Sequence, residues 1–223
     1  MDKHQIAIVI PALNEGSTIY NQVELVKEHG LVIVVNDAST DDTEEKARKA
    51  GAIVINHKSN KGYDGALNSG FLKAKELNCK VVITFDADGQ HDPNVLKKFI
   101  MLINSGYDVV IGVRSKFQRF SEYVFSWVSK FKWGIKDPLC GLKAYSIIVY
   151  KKLGHFSSYE SIGTELCIFS QNLDFKIAQI PVKINDRSDK PRFGNRLSAN
   201  IRILCALFNS RNIKKLKLGN IKQ

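Results

Sequence analysis

The sequence predicts an α/β domain built on a mostly parallel sheet. Three observations carry that prediction. Short apolar runs recur through the first half of the chain, they are continuous rather than alternating, and stretches of helical spacing separate them. A strand that is apolar at every position is covered on both faces, as parallel strands are. Strands that alternate with helices make a layered α/β architecture.

The apolar runs lie at residues 6–10, 31–35, 52–55, 81–85 and 108–111. Helical spacing fills 17–28, 41–50, 65–77 and 93–104. Asp92 before Pro93 predicts a helix start, with a capping carboxylate and then proline at the first helical position. The second half changes character. Phe117, Phe120, Val124, Trp127 or Val128, and Phe131 recur at helical intervals. They predict an amphipathic helix with Ser121, Glu122, Ser126 and Lys130 on its polar side. A loop at 136–141, a helix at 163–172, a strand at 176–184 and a polar loop at 185–195 follow. A last helix covers 197–209, and a basic tail begins at Arg211. Internal repeats and low-complexity linkers are absent. The expected organisation is one domain over 1–195 with an extension, helix and basic tail, over 196–223.

Composition narrows the class. The chain has 223 residues, 44% hydrophobic and 25% charged, which excludes a disordered or collagenous protein. Its 33 Lys and Arg against 22 Asp and Glu leave a net charge of +11. Such a surplus suits an acidic partner: nucleic acid, anionic lipid or a phosphorylated substrate. No run approaches the roughly 18–20 apolar residues that cross a bilayer. The first residues lack the basic, apolar and small-residue regions of a signal peptide. Cys79, Cys140, Cys167 and Cys205 form no CxxC pair, which predicts reduced thiols in a cytoplasmic protein.

The strongest chemical signal is FDADGQHDP at 85–93, at the carboxyl end of the fourth run. Ligands of open α/β sheets sit at the carboxyl ends of strands. Asp86 and Asp88, one residue apart, can hold a hard divalent cation and through it a diphosphate. The plain alternative is an acidic, solvated turn, but carboxylates abutting an apolar strand are costly without a compensating charge. Gly89 stands at the wrong position for an EF-hand loop. PALNE at 11–15 follows the first strand and VVNDASTDDT at 34–43 covers the end of the second. Each adds a carboxylate to the same sheet edge. Asp37 suits a base edge or a ribose hydroxyl, whereas Thr40 and Asp41 serve equally well as helix caps. In NKGYDGALNSG at 60–70, Gly62 and Gly65 permit a tight turn or a close approach of backbone to ligand.

These segments, with GVRS at 112–115, DPLCGLKAY at 137–145 and IPVKINDR at 180–187, form an ordered set. The set resembles the family 2 glycosyltransferases, and within them the dolichyl- or polyprenyl-phosphate sugar transferases. The resemblance covers about residues 5–195 and implies the GT-A fold. It implies that Pro11, Ala12, Asn14, Glu15, Asp37, Lys61, Gly62, Asp86 and Ala87 hold the nucleotide of a sugar-nucleotide donor, with a UDP, GDP or dTDP base. Asp86, Asp88 and Gln90 match a Mg²⁺ or Mn²⁺ site. Asp88 and Arg114 match catalytic positions. Arg114 and Arg119 match a site for the acceptor phosphate. Arg187, Lys190 and Arg192 match a loop that closes over donor phosphates.

A phosphate acceptor has a second pKa of about 6 and is largely a dianion at neutral pH, so it needs no general base. The second half offers no acidic pair where hydroxyl-using relatives keep their base. Glu165 is the nearest candidate, and a helix N-terminus explains it equally well. A lipid acceptor implies contact with an anionic membrane face, for which the 117–133 aromatics and the tail's Arg211, Lys214, Lys215, Lys217 and Lys222 are suited. The plain alternative packs those aromatics into the core. Nucleic acid is not expected, because no recognition helix or aromatic-interleaved reader is present. Three other readings stand beside this one. A family 2 transferase could use a glycan hydroxyl in cell-surface polysaccharide synthesis. A haloacid dehalogenase-type phosphatase also ends a strand in Asp-x-Asp-Gly, although on its first strand and followed by Thr or Val rather than Gln90. A basic nucleotide or lipid-surface binder would use the fold without catalysis.

Overall fold

In the computed structural model, residues 2–184 and 196–210 are described. The predicted strands form as β1 (Ile6–Ala12), β2 (Leu31–Asn36), β3 (Ile53–Asn56), β4 (Val81–Thr84) and β5 (Val109–Arg114), and the expected late strand is β7 (Ile177–Val182). One strand escaped the sequence reading: β6 (Lys143–Ser146). The seven strands make one sheet in the order β3-β2-β1-β4-β6-β5-β7. β6 runs antiparallel to both of its neighbours, and the other pairs are parallel.

Strand alternation splits the core in two. Ile6, Ile8, Ile10, Val32 and Val34 pack on one face under α1 (Ile19–Val26), α2 (Thr43–Lys49) and α4 (Val95–Asn104). Ala7, Val9, Ile33 and Val35 pack on the other under α3 (Gly62–Glu76), α5 (Phe120–Trp133), α6 (Ile147–Leu153), α7 (Glu165–Asn172) and α8 (Arg196–Ser210). Two covered faces explain why the runs are apolar at consecutive positions. α3 lies close on β1: a Cβ at Gly70 would overlap Val9.

Three points separate the structure from the sequence analysis. Asp92 does not cap α4. Its Oδ1 accepts from the Asn94 amide at 3.0 Å, making a turn, and the helix begins at Val95 after Asn94. The short helix α6 was not foreseen. Ser146 Oγ accepts from the Ile148 amide at its start, and Gly154 ends it in the left-handed region at φ 89°.

The third point concerns α5, for which the sequence allowed an outward or a core-packed aromatic row: the row faces outward, and two of the four polar positions, Ser121 and Glu122, face inward. Ser121, Glu122 and Ser129 are buried with Phe125 and Trp133, while Phe120, Trp127 and Phe131 are 78%, 72% and 90% exposed. The polar groups face inward because partners wait there. Glu122 receives Arg114 Nη1 at 3.2 Å and Arg119 Nη1 at 3.1 Å. Ser121 Oγ donates to Asn200 Oδ1 of α8 at 2.5 Å. The polar loop 185–195 and the tail from Arg211 lie outside the described residues.

Candidate active site

The strand order places the carboxyl ends of β1, β2 and β4 side by side, with the start of α3 beside them. The segment after β1 is tied to the segment after β2. Asn14, at φ 53°, accepts from the Thr40 amide through Oδ1 at 2.8 Å, and its own amide donates to Ser39 Oγ at 2.9 Å. Asp41 Oδ1 accepts from the Thr43 amide at 3.1 Å, and its Oδ2 from the Gly16 amide at 3.0 Å. Asp41 is therefore both a turn-former and a strut between the two loops.

Asp37 is buried at the end of β2. Its carboxylate accepts from the Lys61 and Gly62 amides at 2.8 Å each, and pairs with His57 Nδ1 at 2.6 Å. His57 Nε2 in turn meets Ser69 Oγ at 2.8 Å. Gly62 has φ 75°, the left-handed conformation that glycine adopts without strain. Asp37 thus fixes the turn into α3.

A cavity of about 320 Å³ opens at this edge. Pro11 and Ala12 line it from β1 and Leu13 and Glu15 from the segment after it, Asp37 from just past β2, Gly62 and Tyr63 from α3, and Asp86, Ala87 and Asp88 from the segment after β4. Arg202 of α8 completes the wall. Asn14 and Lys61, expected at the nucleotide, do not line it. They shape the loops that do.

A second hollow of about 200 Å³ adjoins the first. Arg114, Lys116, Gln118 and Arg119 line it, with Gln90, His91 and Ile162. Tyr63 and Asp86 belong to both walls. A wider depression of about 690 Å³, among Lys3, Glu24, Lys27 and Glu28, is lined by none of the residues predicted to act.

Asp86 is therefore the hinge of the site. Burial opposes its ionisation, but the hydrogen bond from His91 and the charges of His91, Lys143 and Arg114 outweigh burial and hold its carboxyl below the ordinary value. His91 Nε2 lies 3.1 Å from Asp86 Oδ2. His91 is thus a charge partner of Asp86. Lys143, buried on β6, donates through Nζ to the Gly163 carbonyl at 3.0 Å. A Cβ at Gly141 would overlap the Asp86 carboxylate, so only glycine fits there. Asp88 Oδ1 accepts from the Gln90 amide at 3.1 Å.

The expected phosphate-binding arginines are held by carboxylates. Arg114 grips Asp137 with two parallel bonds, Nε to Oδ2 at 2.8 Å and Nη2 to Oδ1 at 2.9 Å. Burial favours loss of its proton, but Asp137 outweighs burial and keeps the guanidinium firmly charged. Arg119 shares Glu122 with it. Both arginines are thus held in place at the second hollow rather than reaching freely into solvent.

Asp64 on α3 organises the far wall. It accepts from the Ile162 and Gly163 amides at 2.9 and 2.6 Å, which sets Ile162 against the second hollow. Burial raises its pKa, and these amide bonds offset part of the rise. Glu165 lines neither hollow. It accepts from the Ser158 amide at 2.6 Å and Ser158 Oγ at 2.8 Å, and faces His155 Nε2 at 3.0 Å. Its role here is to close the 155–165 loop. Arg187, Lys190 and Arg192 lie outside the described residues.

Sequence reasoning missed Tyr63, His91, Lys116, Asp137 and Arg202. His91 and Asp137 lie inside quoted motifs, so a search for counter-charges within those motifs could have found them. Arg202 has no local signal, because only the packing of α8 brings it to the cavity.

Residues 7–163 match the model of glycosyl transferase family 2. The chain belongs to this family. It is a glycosyltransferase with the GT-A fold, and the phosphatase reading falls away. An uncharacterised protein of Methanocaldococcus jannaschii is 33% identical over 82% of this chain and 82% of its own length. The UDP-N-acetylglucosamine–dolichyl-phosphate N-acetylglucosaminyltransferase of Methanococcus voltae is 30% identical over 80% of this chain and 84% of its own. The dolichyl-phosphate hexose transferase of Haloferax volcanii is 28% identical over 84% and 86%. Among solved structures, glucosyl-3-phosphoglycerate synthase of Mycobacterium tuberculosis, in complex with Mn²⁺, uridine diphosphate and phosphoglyceric acid, superposes with a TM-score of 0.75. That likeness covers 94% of this chain and 79% of the synthase at 20% identity, and it bears on fold alone.

Proposed function

We propose that this glycosyltransferase moves a sugar from a nucleotide-diphosphate sugar to a polyprenyl, dolichyl-type, phosphate, with inversion at the sugar. The observation that carries the reading is the placement of Asp86 in the wall shared by an acidic and a basic hollow. The acidic hollow takes the donor and the basic one the acceptor. The dolichyl-phosphate transferases among the relatives support the acceptor class.

The donor hollow carries Glu15, Asp37, Asp86 and Asp88 against Arg202. A diphosphate would be repelled there unless a cation stood between. The hard carboxylate oxygens of Asp86 and Asp88 fit Mg²⁺ or Mn²⁺. Among the described residues no group of three or more His, Cys, Asp or Glu is placed to cage a metal. Asp86 and Asp88 would therefore share the cation with the diphosphate, as Mg²⁺ commonly binds. Bound there, it would neutralise the leaving diphosphate. Gln90 lines the neighbouring hollow, and its amide orients Asp88.

The chain's own residues do the rest. Asp37 and His57 set the turn at 60–62 that backs the nucleotide. Arg114, Lys116 and Arg119 offset the charge of a phosphate acceptor brought up to the donor's anomeric carbon, so that two anionic groups approach in line. Among the described residues Asp86 is the only carboxylate lining the basic hollow, and it is bound to His91. A dianionic phosphate needs no base, whereas a hydroxyl acceptor does. The site therefore favours the phosphate over the glycan hydroxyl.

A thermal-shift panel of UDP-, GDP- and dTDP-sugars, with and without Mn²⁺, tests the donor half. A donor at a hundredfold excess over its Kd stabilises by about 2.7 kcal/mol. At least one sugar nucleotide should raise Tm in a Mn²⁺-dependent manner. If none shifts Tm with the metal present, the donor assignment is wrong.

A further inference from the structure

We propose that Ile162 is a specificity-determining residue of this transferase. Held in a strained turn at the basic hollow, it selects a phosphate carried on an apolar carbon chain over one carried on a polar body. The proposal rests on the reading of the basic hollow as the acceptor site, and deepens it.

The backbone of Ile162 lies at φ 54°, in the left-handed region. Among the described non-glycine residues, Asn14, Ala38, Asn78 and Asp174 share that region, which asparagine and aspartate enter readily. Ile162 is the only β-branched residue there, and a branched Cβ makes the conformation a genuine outlier. Gly163 follows at φ 70°. Glycine or asparagine at 162 would make the same turn with less strain. Strained residues persist where the surrounding structure over-determines them, and they cluster at ligand sites.

The surroundings of Ile162 do over-determine it. Asp64, in the first turn of α3, accepts from the Ile162 amide at 2.9 Å and from the Gly163 amide at 2.6 Å. Asn68, on the same helix, accepts from the Phe156 amide through Oδ1 at 2.8 Å and donates through Nδ2 to the Ser157 carbonyl at 2.7 Å. Both ends of the 156–163 segment are thus bonded to the helix that opens at the donor cavity. A Cβ at Gly163 would stand 3.2 Å from Tyr63 Cε1, so the turn is also seated against the tyrosine shared by the two hollows. Two polar side chains of α3 therefore hold a strained turn whose product is an isoleucine in the wall of the hollow.

The hollow has two kinds of wall. Arg114, Lys116 and Arg119 supply charge, and Leu139, Ile162 and Ile184 supply half-buried apolar surface. Leu139 and Ile162 rest on the core under α3, and Ile184 on the core of the opposite sheet face. A phosphate on the cations leaves the carbon that bears it against these side chains. A hydrocarbon gains by covering them, whereas a hydroxyl or carboxylate placed there loses water without finding a partner.

The test compares kcat/KM of the full-length protein for citronellyl phosphate and for glycerol 3-phosphate, with Mn²⁺ and the sugar nucleotide that raises Tm. The wild type should prefer citronellyl phosphate. Ile162→Asn suits the left-handed turn and makes the side chain polar. It should lower kcat/KM for citronellyl phosphate at least about tenfold, through KM, since one methylene in an apolar pocket is already worth about 10–200-fold. Its kcat/KM for glycerol 3-phosphate should not fall. Ile162→Leu, which restores the apolar surface, should recover the preference. Ile162→Asn and Ile162→Gly should unfold at no lower urea concentration than the wild type, because the strain is relieved. The Mn²⁺-dependent donor thermal shift should persist in every variant, which reports an intact donor site. The proposal is overturned if Ile162→Asn keeps the wild-type ratio of the two acceptors, whether both values hold or both fall alike. It is also overturned if the Asn and Gly variants both unfold earlier than the wild type, which would make Ile162 a packing residue. The wild type tests the acceptor reading by itself. Failure to use citronellyl phosphate overturns that reading together with this proposal, and transfer that Ile162→Asn leaves undiminished overturns this proposal alone.

Discussion

Asp86 shows how one side chain can be buried and still charged. Its carboxyl stays below the ordinary value because His91, Lys143 and Arg114 outweigh desolvation. The sign follows directly. A depressed carboxyl contributes stability above its unfolded pKa and loses it as pH falls through the folded value. His91→Leu removes the largest favourable contribution, so the Asp86 pKa should rise. The acid limb of Mn²⁺-dependent donor binding, followed by calorimetry across pH, should move to higher pH. A profile that superposes on the wild type would show that His91 does not set the charge. Asp88→Asn tests the metal pair itself. Donor affinity with Mn²⁺ should fall by at least about tenfold, since even residues behind metal ligands commonly cost 10–100-fold. Circular dichroism and Tm without ligand should be unchanged, and unaltered donor affinity would remove Asp88 from the site. At this scale the acidic motifs were legible because each sits at a strand's carboxyl end. Their counter-charges were less so: His91 stands inside the same motif as Asp86, whereas Lys143 and Arg114 come to Asp86 only once β6 and β5 are folded into the sheet beside β4.

At the scale of elements, periodicity located the helices better than it oriented them. The first five strands and the helices between them were legible because both sheet faces are covered. β6 was not, since its four residues include Lys143 and Ser146 and give no apolar run. The spacing of α5 was legible, but the sequence left open whether its aromatic row faces out or packs into the core, and Phe120, Trp127 and Phe131 face out. Pattern reasoning assumes that polar side chains face water, and here half-buried Arg114 and Arg119 and Asn200 draw Glu122 and Ser121 onto the inward face beside Phe125 and Trp133. Packing of α3 on β1 gives a test. Gly70→Ala gains about 1 kcal/mol of helix propensity but forces a methyl onto Val9, and overpacking of this kind costs about 1–3 kcal/mol. Equilibrium urea unfolding should show a net loss on the order of 1 kcal/mol. A gain in stability would mean that the α3–β1 contact is looser than the structure shows.

At the scale of the molecule, the sheet order does the functional work. It sets an acidic cavity beside a basic hollow, with Asp86 and Tyr63 between them, and covers one flank with two helices whose outer rows carry no acid. The ordered motifs made the family legible from the sequence. The division into two hollows was not, because Arg202 and Ile162 arrive from distant parts of the chain. The central claim is that the basic hollow takes a ready-made phosphate nucleophile and supplies no base. Its most direct test is transfer of labelled sugar, with Mn²⁺ and the donor found by thermal shift, to a polyprenyl phosphate and to the matching free polyprenol. Product should form from the phosphate and not from the alcohol, whereas equal transfer to both, or transfer to the alcohol alone, would contradict the account.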